Sequence, residues 1–166
     1  MKLSVFVSVL VVSFLTTTTM AEDCRTPKQA LEKLKATLAR SGKPTKAAGE
    51  VLVVDKKVPE VKFGRIKIAN NFDAVDEVKA KCGGTATVFV KSGDDFVRVT
   101  TNIIPAGKTE RAVGTVLARN KAYELVSKGE TFCGEVEILG KPYDTCYEPF
   151  KVDGEIAGIY YVGYQK

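Results

Sequence analysis

Gly83-Gly84-Thr85-Ala86-Thr87-Val88-Phe89-Val90-Lys91-Ser92-Gly93-Asp94-Asp95-Phe96-Val97-Arg98-Val99-Thr100-Thr101-Asn102 is the stretch from which the rest of the chain can be read. Two alternating runs flank a polar turn, the pattern of an antiparallel strand pair. With the turn at Ser92-Gly93-Asp94-Asp95, Val88 and Val90 fall opposite Val99 and Val97 on one face. On the other face Thr87, Phe89 and Lys91 meet Thr100, Arg98 and Phe96. The first face is aliphatic. The second mixes aromatic rings, hydroxyls and a guanidinium, a composition suited to the wall of a small-molecule pocket.

Upstream, Lys2 gives a short positive n-region, residues 3–15 are apolar, and Thr19-Met20-Ala21 is a small-residue cleavage site. Residues 1–21 therefore read as a secretory signal peptide. Its apolar core of about 13 residues is short for a permanent span. Residues 22–166, roughly 145 in all, have the size of one domain. The net charge of +5 falls to +4 without Lys2, with both signs interspersed. No basic stretch is interleaved with aromatics, which argues against a nucleic-acid partner.

Four cysteines in an exported chain point to disulfides, in three formal connectivities. Cys133 and Cys146 stand on the two arms of a predicted hairpin turning near Leu139-Gly140-Lys141. Cys24 precedes one predicted helix and Cys82 follows another. We favour Cys133–Cys146 and Cys24–Cys82, with free thiols the alternative in a poorly oxidising periplasm. No CxxC is present, against a thioredoxin-type role.

Thr26-Pro27 reads as a cap and first turn, and Ala30, Leu31, Leu34 and Leu38 carry a helix to Arg40. Residues 43–48 read as a loop, Leu52-Val53-Val54 as a short strand, residues 62–69 as a strand, and residues 72–81 as a helix. After the central hairpin come a loop (103–110), a strand (111–117), a short helix (121–128) closed by Gly129, and three strands (132–139, 142–150, 156–164). Asp153-Gly154 joins the last two. Successive hairpins with few helices predict an antiparallel α+β domain.

The chain has no histidine. That excludes Ser-His-Asp and Cys-His catalysis and histidine-ligated zinc or haem. Asp94-Asp95 belongs to a turn, Glu135 and Glu137 share a solvated strand face, and no EF-hand spacing occurs. No enzyme, metal or cofactor is expected. Arg98 is the leading ligand-binding candidate, because a guanidinium in an enclosed wall binds a carboxylate bidentately. Arg111, Thr100, Lys141, Tyr143 and Tyr147 are further candidates. Tyr161 reads as core, and Phe89 as a ring packed on the Arg98 guanidinium.

Gly83-Gly84-Thr85-Ala86-Thr87-Val88-Phe89, Gly93-Asp94-Asp95-Phe96-Val97-Arg98-Val99-Thr100-Thr101 and Arg111-Ala112-Val113-Gly114-Thr115 resemble the Cache sensor domains of bacterial methyl-accepting chemotaxis proteins. The resemblance continues through residues 134–139, Gly140-Lys141-Pro142-Tyr143, Tyr147-Glu148-Pro149 and Gly158-Ile159-Tyr160-Tyr161-Val162-Gly163, and is strongest over residues 60–164. It implies a PAS-like fold, an antiparallel sheet with an N-terminal helix and short flanking helices. It also implies periplasmic or secreted placement and a small ligand such as an organic acid or amino acid, in sensing, signalling or chemotaxis. Chemoreceptor Cache domains usually lie between two membrane helices, whereas no second apolar segment follows Gly163. The expectation is a single Cache module over residues 22–166 without a permanent span, handing its ligand or its shape to a membrane receptor. A ligand-free interaction module on the same fold is the alternative.

Overall fold

The computed structural model describes residues 24–166, and the expected signal peptide lies outside them. Helix α1 (Pro27–Ala39) starts with a capping box: Thr26 Oγ1 accepts from the Gln29 backbone, and the Gln29 side chain accepts from Thr26 N. A long hairpin follows, β1 (Pro44–Val53) and β2 (Lys56–Phe63), extended by the short β3 (Ile66–Lys67). Helix α2 (Asp73–Cys82) carries Asp73 and Asp76 in its first turn, Lys79 and Lys81 in its last, and Gly83 at φ 72 as its cap. Then come β4 (Thr85–Ser92), β5 (Asp95–Thr101), α3 (Lys121–Ser127), β6 (Phe132–Ile138), β7 (Lys141–Val152) and β8 (Glu155–Gln165).

The strands form two antiparallel sheets, one ordered β1-β2-β3 and one ordered β5-β4-β8-β7-β6. On one face of the larger sheet, Leu31, Leu34 and Leu38 of α1, Val75 and Val78 of α2, and Val58, Val61 and Phe63 of the small sheet pack with Val88, Val90, Val99 and Val162. The other, front face has a second core of Phe89, Phe96, Tyr147, Ile159 and Tyr161 with Ala122 and Val126 of α3. Strand β4 is therefore covered on both faces, and residues 86–90 are all buried. This is the antiparallel α+β architecture that the sequence pattern predicts, in the PAS-like form that the resemblance implies.

Three local expectations are corrected. Of the expected loop at residues 43–48, all but Lys43 form the first half of β1, whose pairing with β2 breaks register between Lys46 and Glu50. Residues 62–69 divide into the end of β2, a turn and β3. Residues 111–117 are not a full strand but a strap along the outer edge of β5. They join it through the Val97–Val116 bridge and bonds from Arg98 N to Thr115 O (2.8 Å) and from Leu117 N to Phe96 O (3.0 Å).

Both favoured disulfides are formed, Cys24–Cys82 and Cys133–Cys146. The first ties the start of α1 to the end of α2, and Tyr164 Oη lies 2.6 and 3.0 Å from the Cys24 and Cys82 carbonyls. The second joins directly paired residues of β6 and β7. The loops they close span 58 and 13 residues. Chain entropy assigns about 4 kcal/mol to the longer loop and about 3 to the shorter. Replacing Cys24 and Cys82 by serine should thus cost more in urea unfolding than replacing Cys133 and Cys146; an equal or reversed loss would refute that ordering.

Candidate functional site

The β4–β5 hairpin positions the site. Phe89 pairs with Arg98, Val90 with Val97 and Lys91 with Phe96, as the alternation predicts. Beyond Arg98 the ladder shifts: Val88 pairs with Thr100 and Thr87 with Thr101, leaving Val99 as an extra residue in β5. This bulge turns Thr100 to the helix side, where its hydroxyl donates to Asn71 O at 2.6 Å. The expectation that Thr100 stands beside Arg98 is therefore corrected. Thr101 takes the front-face position, 2.7 Å from Thr87 Oγ1. Asn102 closes the strand, accepting from Ala86 N at 2.9 Å and donating to Val75 O at 2.7 Å.

Arg98 is only 6 % exposed. Its guanidinium lies 5.0 Å from the centre of the Phe89 ring. Nη1 donates to Thr115 Oγ1 at 2.5 Å, and the Thr115 hydroxyl in turn donates to Ala112 O at 2.8 Å. Nε is buried without a hydrogen-bond partner. No carboxylate among the described residues forms an ion pair with Arg98. Burial pulls its pKa down, and the neighbouring Tyr147 and Tyr161 phenols act in the opposite direction. A buried cation with one neutral acceptor is an expensive arrangement.

Tyr147 and Tyr161 complete this wall, with ring centres 4.8 Å apart. Thr85 Oγ1 donates to Gly163 O at 2.8 Å, so Tyr161 Oη, 3.0 Å away, is the donor in the Thr85–Tyr161 bond. Tyr161 fits because residue 163 is glycine: a Cβ there would stand 2.3 Å from its hydroxyl. Tyr147 is 2 % exposed, and its hydroxyl is not among the buried polar atoms left without a partner. Burial raises the pKa of both tyrosines, so both stay neutral near pH 7.

The other candidates lie elsewhere. Arg111 is engaged with α2: Nη1 and Nη2 grip the Asp76 carboxylate at 2.7 and 2.9 Å, Nη1 also reaches Thr101 O, and the guanidinium lies 4.4 Å from the Phe72 ring centre. Lys141 and Tyr143 share a cleft of about 60 Å³ with Ile103, Leu139 and Gln165. A larger cleft of about 270 Å³ runs between α1, α2 and β3. Arg98 lines neither. The structure thus joins Arg98 to Tyr147, places Lys141 and Tyr143 together near the β6–β7 turn, and assigns Arg111 and Thr100 other partners. Thr115 is the site residue that the sequence pattern does not single out; its one signal is a hydroxyl within an alternating run.

The sequence matches the family model of the Cache 3/Cache 2 fusion domain over residues 16–166, and the chain belongs to that family. No curated protein and no solved structure matches it. Cache domains are non-catalytic, extracytoplasmic sensor modules that bind small ligands. The two disulfides accord with that placement. Among the described residues no helix is long and apolar enough to cross a membrane.

Two measurements test this arrangement. Arg111→Ala should lower stability by about 1–2 kcal/mol, through loss of a partly exposed bidentate pair and a backbone hydrogen bond. Asp76→Ala should add little on top of it, and full additivity in a double-mutant cycle would refute the pairing. Folding raises the pKa of Tyr147, Tyr160 and Tyr161 above the ordinary 10.0. The unfolded chain therefore releases these protons first, and stability is whole below pH 10 and falls above it. Alkaline titration at 295 nm should show the three ionising only with unfolding; ionisation near pH 10 in folded protein would contradict their burial.

Proposed function

We propose that this Cache protein senses a small anionic metabolite, a short carboxylic acid, outside the cytoplasm. The observation that carries this reading is the buried Arg98, which has no carboxylate partner among the described residues and a buried Nε without an acceptor. Nη1 is committed to Thr115, which leaves the Nε–Nη2 edge, spaced for the two oxygens of a carboxylate. The Tyr147 hydroxyl supplies a further donor to the same anion. Phe89 holds the guanidinium plane, and the aromatic and aliphatic front core limits the ligand to a few carbons.

A second reading, an interaction module that keeps the fold without a ligand and engages a membrane receptor, has one observation in its favour. Tyr147 and Tyr161 are 2 % and 1 % exposed, so phenol rings fill the front face beside Arg98. Ligand entry then requires those rings to move.

A thermal-shift screen with acetate, propionate, pyruvate, lactate and amino acids at millimolar concentration separates the two. A ligand present at 100 times its Kd stabilises the native state by about 2.7 kcal/mol. Arg98→Met keeps the side-chain length and removes the charge, so the fold should survive while the shift disappears. A shift that persists in Arg98→Met would remove Arg98 from the site. No shift from a cooperatively melting protein would favour the interaction module.

A further inference from the structure

Residues 111–117 lie between the buried guanidinium and the protein surface. On their inner side Thr115 Oγ1 holds Arg98 Nη1, and the Arg98 backbone is tied to the same segment through Thr115 O (2.8 Å) and Gly114 N (2.9 Å). On their outer side Gly114 lies against the β1–β2 turn. A Cβ added to Gly114 would stand 2.9 Å from Val54 Cγ2 and 3.0 Å from Val54 Cβ. Gly114 itself has φ 83, so a side chain there meets both a strained backbone and an occupied space.

Val54 is the unusual residue of that turn. Its φ is 58, a conformation that β-branched residues adopt only under constraint. It is also 68 % exposed, so burial returns little of that cost. Val116, on the same strap, and Leu52, before the turn, are exposed as well. One short segment therefore touches the candidate ligand cation with one residue and a strained, solvent-facing apolar turn with the next.

We infer that Thr115 is a positioning residue that couples Arg98 to the Val54 turn, so that occupancy of the buried site is read at the surface on the β1–β2 hairpin. The ligand-triggered half of this inference rests on the reading of Arg98 as the ligand's cation. Thr115 Oγ1 donates to Ala112 O and so presents a lone pair to Nη1, while Nε has no partner. A carboxylate on that edge fixes the guanidinium, and the guanidinium fixes Thr115 and, one residue on, the Gly114 seat of Val54. Linkage makes the effect reciprocal, so a disturbance at the turn changes affinity at Arg98 by the same factor.

The test separates coupling from sensing. In ligand-free protein, Thr115→Val and Arg98→Met should each shift the Val54 methyl resonances and speed amide exchange at Gly114 and Leu117 by about five- to tenfold, the effect of one lost hydrogen bond on local opening. The double variant should add nothing further, because both singles break one bond. Unchanged Val54 resonances, or additive effects, would overturn the coupling. Pyruvate, added to the wild type, should move the same Val54 resonances and slow exchange at Gly114, while Thr115→Val, which should bind pyruvate more weakly and is compared at saturation, loses the response. Pyruvate binding with a still strap would overturn the ligand-triggered half and leave the sensing proposal intact. No binding by any acid in the screen, with non-additive singles, would uphold the coupling and bring down the sensing reading.

Discussion

A guanidinium sealed into the front of a sheet constrains everything placed around it. Taking an arginine out of water costs several kcal/mol unless its donors are satisfied and an opposite charge compensates it. Arg98 lies in β5, whose inner edge pairs with β4 and whose outer edge is tied to residues 111–117. The backbone is thus held on both edges, and the side chain stands on a front face that is itself covered. Its surroundings are what such confinement requires: the negative face of Phe89 beneath it, the Thr115 hydroxyl at one nitrogen, and the Tyr147 and Tyr161 phenols nearby. All of these are neutral. No carboxylate among the described residues forms an ion pair with Arg98, whereas Arg111 has one in Asp76.

Arg111 shows the contrast within the same molecule. It also packs on an aromatic ring, Phe72, and also accompanies the strap, yet it meets a carboxylate bidentately and caps a backbone carbonyl. Its charge is neutralised by Asp76, a residue favoured in the first turn of α2 by the helix dipole. Arg111 thereby anchors the strap to α2, and the two arginines divide the labour. One is spent on holding the segment; the other, beside Thr115, keeps an unspent edge.

Much of this was legible in the residues, and the failures have physical causes. The pairing of Phe89 with Arg98 follows from a two-faced alternation around a Gly-Asp turn. The bulge at Val99 does not, because β5 is buried on both faces and Val99, Thr100 and Thr101 are sterically interchangeable there. A single extra residue thus sent Thr100 to the helices and Thr101 to the front. The start of β1 was illegible for a different reason. Ala47-Ala48-Gly49 has weak strand preference, and the register break after Lys46 erases the alternation that would reveal a strand. Both disulfides were readable because each joins positions that flanking elements bring together. Thr115 and the fate of Arg111 depend on a strap that crosses the sheet edge, a tertiary fact with no local signature.

The packed front face and the unspent arginine edge are compatible if the core there can yield. The helix-side core buries two helices and the small sheet against β4, β8 and β7, and both disulfides brace the chain, one at the start of α1 and one between β6 and β7. The front core is closed by a single two-turn helix, α3, and by a strap anchored through Ala112 and Leu117. Local opening is cheapest where few buried apolar contacts are lost. By that measure, opening on the side of Arg98, Tyr147 and Tyr161 costs less than opening on the helix side, which has the larger core. An anion that entered would find its countercharge already desolvated, so much of the electrostatic cost of a tight pair has been met in folding. The buried charge on which the sensing proposal rests thus lies in the less heavily packed of the two cores.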